Sequence, residues 1–190
     1  MSARPLPPIE FLRECFRYDP ETGRFWWRQR PEHHFTDAIR AQQWNTRHAG
    51  KATMRTRDGS GYLKCEVDFF GSRRRLLAAR VAFKLLTGEE PECVDHKNGS
   101  RIDNSYGNLR GATAQQNQAN TKGRAAKPLP KGVFFEGSRF IARAYDEAGR
   151  KVFLGSYAAP KEAKAAYDAH MRSRHPAHFN PGPAKPSVFD

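Results

Sequence analysis

The stretch Glu92 to Lys122, ECVDHKNGSRIDNSYGNLRGATAQQNQANTK, constrains this chain more than any other. It is crowded with Asp and Asn and holds one His, in a sequence otherwise rich in cations. Cys93-Val94 reads as the end of a short strand with Asp95 and His96 at its tip. A loop follows, then a return through Asn108-Leu109-Arg110, then a helix opened at Thr113 by the capping-box pair Thr113 and Gln116. Asn117 falls in the first turns of that helix. A strand, a returning strand and a helix would bring Asp95 and Asn117 together.

Two chemistries compete for these side chains. Asp95, Asn98, Asp103, Asn104 and Asn108 can serve as Asx-turn residues of a long loop, or the same oxygens can ligate a metal. A calcium loop of the EF-hand kind fits badly, because Lys97 stands where an oxygen ligand is needed and no terminal Glu is suitably placed. One carboxylate and one amide oxygen suit Mg²⁺, which takes oxygen ligands and keeps water or phosphate oxygens as the rest.

The remainder of the chain narrows the partner. Of its 190 residues, 33 are Lys or Arg and 20 are Asp or Glu, a net charge of +13. The excess lies in both parts: residues 1–120 carry 20 basic and 14 acidic side chains, residues 121–190 carry 13 and 6. Such a balance points first to nucleic acid, with acidic membrane or protein surfaces as the alternatives. No apolar run reaches the length of a membrane span, and Pro5, Pro7, Pro8 and Glu10 break any secretory h-region. Cys15, Cys65 and Cys93 are odd in number and far apart, so neither a disulfide framework nor a structural zinc site is expected, and the setting reads as reducing and cytoplasmic.

Ile9, Leu12, Cys15 and Phe16 read as a short helix, DPETG as a turn, and Phe25-Trp26-Trp27 as a strand with at least one Trp in the core. Residues 32–50 read as polar and irregular, with His33 and His34 as loop residues. Gly61 to Phe70 alternates polar and apolar residues, a half-buried strand; Gly71-Ser72 is expected to turn it back into Arg73–Leu77. The run Arg73, Arg74, Arg75 either clamps phosphates or is a solvated strand end. Ala78 to Leu86 has the apolar spacing of a helix, with Arg80 on its polar side and Gly88 as C-cap. Thr121 to Pro130 reads as a basic, Pro-containing linker, and residues 181–190 as an irregular tail.

With these pieces quoted, a resemblance emerges. Asp95-His96, Asp103-Asn104, Asn108-Leu109-Arg110, Thr113 and Gln116-Asn117 resemble the HNH endonuclease motif, in the spacing of its phage and intron-encoded homing branch. YDPETGRFWWR, DGSGYLKCEVDFFGSRRRLL and ARVAFKLLTGEEPE resemble the N-terminal region of phage HNH proteins, so the likeness covers roughly residues 10–122. It implies an α+β chain with a ββα-metal (His-Me finger) domain over 1–122, its core at about 91–122, preceded by a β-hairpin region. It further implies His96 as general base, Asp95 and Asn117 as ligands of one divalent ion (Mg²⁺, with Mn²⁺ as the alternative), and Asn108 as a brace that orients His96. Arg110 joins the candidate DNA contacts, and Asn120 is a weaker one. Relatives commonly carry His where this chain has Ala79.

Residues 131–180 read as three strands, Gly132–Glu136, Arg139–Tyr145 and Lys151–Tyr157, followed by a helix opened by Pro160. GV-F, RFIAR, VFLGSY, EAKAAYD and the closing FN resemble the Apetala/ethylene-response-factor (ERF-type) DNA-binding domain, a three-stranded antiparallel sheet packed on one helix. The resemblance implies that Arg139, Arg143, Tyr145, Lys151 and Phe153 face DNA, while Phe134 stands where relatives often have Arg. The combined expectation is a monomeric, metal-dependent endonuclease of double-stranded DNA in a phage or bacterial host cell. The alternatives are a non-catalytic DNA-binding regulator with a decayed nuclease fold and, further off, an RNA-directed protein.

Overall fold

A computed structural model describes residues 4–120, 129–146 and 148–181. They divide into two compact units, Met1–Thr113 and Ala114–Asp190, both mixing helices with small antiparallel sheets. Apart from residues 129, 130 and 181, the expected linker and tail lie outside the described residues.

In the first unit, helix α1 (Ile9–Cys15) buries Phe11, Leu12 and Cys15. Strands β1 (Phe16–Asp19), β2 (Arg24–Trp27) and β3 (Ala52–Thr53) form one sheet in that order. Strands β4 (Thr56–Arg57), β5 (Leu63–Phe69) and β6 (Ser72–Leu77) form a second. Helix α3 (Ala78–Thr87) packs five buried residues, Ala78, Ala79, Val81, Ala82 and Phe83, into the core shared with Leu12, Phe16, Phe25 and Leu76, and stops at Gly88 in the left-handed region. Each fully buried Leu or Phe there contributes about 2 kcal/mol of hydrophobic stabilisation. The Cys15 thiol lies in this core, and burial pushes its pKa up to about 12. Trp27 packs against the core as well.

Two expectations change. Residues 32–50 are not irregular: Glu32–His34 is a turn of 3₁₀ helix and Ala38–His48 is an α-helix, α2. Asp37 caps α2 by accepting from the Arg40 amide at 2.8 Å. The helix escapes an apolar-pattern reading because polar contacts dock it. The Asn45 side chain accepts from Arg30 N and donates to Arg30 O, both at 2.9 Å, while Trp44 meets Trp27 edge-on at 5.1 Å. The β5–β6 turn is also one residue earlier than expected. Phe69 pairs with Ser72, so Phe70 and Gly71 form the tip, with φ of 48° and 76°.

Residues 4–6 run across α3 and β6 and are held through their main chain. Arg74 Nη2 donates to Pro5 O at 2.8 Å, Arg80 Nη1 to Arg4 O at 3.0 Å, and Leu6 N to Glu90 Oε1 at 2.7 Å. Glu90 also takes Arg80 Nη2, and Lys84 Nζ at 2.9 Å. A third sheet pairs β7 (Cys93–His96) with β8 (Leu109–Ala112), Asp95 opposite Arg110 and His96 opposite Leu109.

The second unit begins with α4 (Ala114–Asn120), directly after Thr113. Its sheet has the order β11-β10-β9, with β9 at Val133–Glu136, β10 at Arg139–Tyr145 and β11 at Lys151–Tyr157. Helix α5 (Pro160–Arg174) covers one face, burying Ala163 against Val133, Phe140 and Ala142. No helix among the described residues is long and apolar enough to cross a membrane.

Candidate functional site

Strand β7 ends in two buried polar residues, Asp95 at 3% and His96 at 4% exposure. Asp95 faces Arg110 across the sheet, and Arg110 Nε and Nη2 converge on Asp95 Oδ2 at 2.7 and 2.6 Å. The carboxylate is thus charge-compensated inside the fold, as a buried anion must be. His96 Nε2 lies 3.1 Å from Asn104 Oδ1, with the Tyr62 ring 5.8 Å away. An amide oxygen can only accept, so this contact places the imidazole proton on Nε2 and makes Nδ1 the basic nitrogen. Burial lowers the His96 pKa below the ordinary 6.5, more than its contact with Asn104 and the nearby Asp95 and Asp103 raise it. The shift favours the neutral ring, the form a proton acceptor needs.

The loop that follows is stitched by its own side chains. Asn108 Oδ1 accepts from Asn98 N at 2.9 Å, and Asn108 Nδ2 donates to Asp103 O at 2.8 Å. Asp103 accepts from Ser105 N, Ser105 Oγ and Asn98 Nδ2, which holds its carboxyl below the usual range. The two chemistries posed for this stretch therefore divide among its residues. Asn98, Asp103 and Asn108 are loop-forming, whereas Asp95 and His96 sit on the strand. Asn108 braces the loop, but the side chain that touches His96 through Nε2 is Asn104, which the sequence placed in the motif without giving it that role.

What holds Asn104 comes from far away. Tyr18 Oη donates to Asn104 O at 2.7 Å, and Tyr106 N donates to Pro20 O at 2.8 Å. Gly23, at φ 70°, lies so close that a Cβ there would overlap the main chain of Asn104 and Ser105. The DPETG turn is the backing on which the His96 loop rests. Nothing in the local sequence signals this, since 86 positions separate Tyr18 from Asn104.

Residues 77–119 match the family model HNH_3, HNH endonuclease. The match supports an HNH nuclease, and it covers Asp95, His96, Asn108, Arg110 and Asn117. No curated protein and no solved structure matches the chain. The matched segment ends inside α4, so Asn117 belongs to the second unit and Asp95 to the first. Ala79, where HNH relatives commonly carry His, is buried in the core at 6% exposure.

The Asp95 carboxylate is a donor of the kind a hard divalent cation takes. A second group of possible ligands was not anticipated. Glu14, His33 and His34 place donor atoms within 4.8 Å of one another. Here the surroundings disfavour a cation. Arg30 Nε donates to His34 Nδ1 at 3.2 Å, so His34 Nε2 carries the proton it shares with Glu14 Oε2 at 2.7 Å, and a guanidinium already occupies the neighbourhood.

The candidate DNA contacts fall into different places. Strand alternation sends Arg74 to the opposite face from Arg73 and Arg75, where it holds Pro5 O, and Arg73 pairs with Glu66 at 2.5 Å. Arg80 is committed to Glu90 and Arg4 O, and Arg110 to Asp95. In the second unit, pairings Arg143↔Phe153 and Tyr145↔Lys151 bring those four and Arg139 to the sheet face away from α5. Tyr145 is 56% and Phe153 63% exposed, Arg143 pairs with Glu136 and lies over Phe134, and Arg139 Nε donates to Ser156 Oγ at 2.7 Å.

Two outcomes follow. Gly23→Ala should lower the melting temperature by several degrees, because a Cβ clash adds to the strain of positive φ; a melt identical to that of the original chain would show that the turn and the loop are not in contact. In ¹⁵N NMR, His96 should remain the Nε2–H tautomer and titrate below 6.5. Because its folded pKa is depressed, the stability it contributes is complete above 6.5 and is lost as pH falls through the folded value.

Proposed function

We propose that this chain is a metal-dependent endonuclease that hydrolyses phosphodiester bonds of duplex DNA. The observation that carries the reading is His96: buried, with Nε2 on the Asn104 side-chain oxygen, at the end of a strand inside the segment matched to the HNH endonuclease model. In this role Nδ1 of His96 takes a proton from the water as its oxygen bonds to phosphorus, the P–O3′ bond breaks, and the leaving 3′ oxygen takes a proton from solvent, giving 5′-phosphate and 3′-hydroxyl ends. Asn104 keeps the ring in the tautomer the step requires. Asn108 keeps the loop from shifting, which matters because a misplacement of about 1 Å can cost 100-fold in rate. In the arrangement the HNH resemblance implies, Asp95 would be a ligand of one divalent ion, Mg²⁺ or Mn²⁺, which would supply positive charge for the phosphate and leaving oxygen.

One observation favours a second reading, a DNA-binding regulator without catalysis. Asp95 already has Arg110 as counter-ion, so the metal role requires the guanidinium to share or yield the carboxylate. Supercoiled plasmid separates the two. With Mg²⁺, the chain should produce nicked or linear product, while EDTA and His96→Ala should each reduce the rate at least 100-fold. Product formation unaffected by His96→Ala would refute the assignment of the base.

The second unit is proposed as the docking module, its ERF-type sheet lying against the duplex through Arg139, Arg143, Tyr145, Lys151 and Phe153. Replacing Arg143 and Lys151 together by Gln should weaken duplex binding and flatten the log Kd versus log salt slope by about 2, roughly 0.9 per lost phosphate contact. An unchanged slope would place the docking surface elsewhere.

A further inference from the structure

A groove of about 940 Å³ lies in the first unit, between α2 and the β5–β6 hairpin, outside the matched segment. Its rings include Trp44 and Phe35, with centroids 5.8 Å apart, and Phe70 at the hairpin tip. Arg40 and Arg47 line it from α2 and Arg73 from β6. Arg73 shares a charge with Glu66 and Arg40 with Asp37, whereas Arg47, exposed, has no ion-pair partner among the described residues. Asp68 is occupied in the turn, accepting from Gly71 N at 2.8 Å.

Phe70 is the telling residue. Both tip positions have positive φ, the geometry of a type I′ turn, where Asn-Gly is favoured and a bulky side chain is strained. The ring is 67% exposed, so most of it reaches solvent, and its contacts with the fold are Phe69 edge-on at 4.9 Å and the rim of the core at Phe11, 6.2 Å away. A strained aromatic that leaves most of its ring exposed beside a cationic groove gives a reason to look for a ligand there, beyond its packing on Phe11 and Phe69.

We infer that this groove binds single-stranded DNA, with unpaired bases stacking on Phe70 and the groove rings and phosphates meeting Arg47, Arg40 and Arg73. Aromatic platforms interleaved with arginines suit this ligand, since every base has a π-face and every nucleotide a phosphate. Duplex bases are stacked on one another and cannot enter a concave site of this kind. The choice of DNA over RNA rests on the endonuclease reading, and the strand form it predicts is the one exposed at a nick or a frayed end.

The test is fluorescence anisotropy of the full chain with labelled oligothymidine, oligouridine and a blunt duplex, in EDTA so that nothing is cut. Phe70→Asn supplies the side chain a type I′ turn prefers, so its melting temperature should equal or exceed that of the original chain. Its affinity for oligothymidine should fall about tenfold, with duplex binding nearly unchanged. Arg47→Gln should reduce the oligothymidine salt slope by about 0.7. Unaltered oligothymidine binding by Phe70→Asn, an equal loss on duplex, or tighter binding of oligouridine would each overturn the proposal. Because no cleavage is measured, a groove that behaves as expected in a chain that leaves plasmid intact would refute the endonuclease reading alone.

Discussion

The contact between Gly23 and the main chain of Asn104 and Ser105 is the constraint on which the candidate site depends. It lets the β1–β2 turn close down on the loop after His96, where Tyr18 and Pro20 form their hydrogen bonds. That seating holds Asn104, and Asn104 determines which nitrogen of His96 carries the proton. A backbone position without a side chain thus controls the protonation chemistry of an imidazole far along the chain. The aromatic hairpin, with Phe16, Tyr18, Phe25 and Trp27 in ring contact, is the rigid base for this seating.

The cations of this basic chain do not act as one class. Arg30, 3% exposed, is enclosed by Phe11, Phe35 and Trp44 and donates to His34 and to Asp68 O. Arg80 and Lys84 hold Glu90, and Arg110 neutralises Asp95. These are structural charges that solvent and polyanions reach poorly. The net charge of +13 therefore overstates what any one surface presents, because these buried cations count towards it while exposed ones such as Arg47, Arg73 and Arg75 are spread over the chain. The distinction is electrostatic, since a buried ion pair is fixed whereas an exposed guanidinium can exchange counter-ions for phosphates.

What the sequence made legible follows from the range of the forces involved. Helix α3 was readable because Ala78, Val81, Ala82 and Leu85 recur at helical spacing, and β5 because its residues alternate. Asp95 and His96 were readable at a strand end because a strand-loop-strand pattern surrounds them. Helix α2 was not, since a two-way amide pairing of Asn45 with Arg30 replaces an apolar stripe. The β5–β6 tip was misplaced because Phe70 occupies a backbone conformation that residue-type preference assigns to Asn or Gly. The partner of His96 and the hairpin behind it lie beyond any local pattern, as they arise from packing across the whole first unit.

The strap formed by residues 4–6 has an implication of a different kind. Its partners grip Arg4 O, Pro5 O and Leu6 N, atoms that every residue at those positions supplies, proline's missing N–H aside. Leu6 alone is also buried by its side chain. At positions 4 and 5 the spelling is therefore nearly free while the presence of a peptide is not. Replacing those side chains would pass almost unnoticed. Removing the peptide would leave Arg74, on β6, and Arg80, in the first turn of α3, with donors that had lost their acceptors, where the matched segment begins.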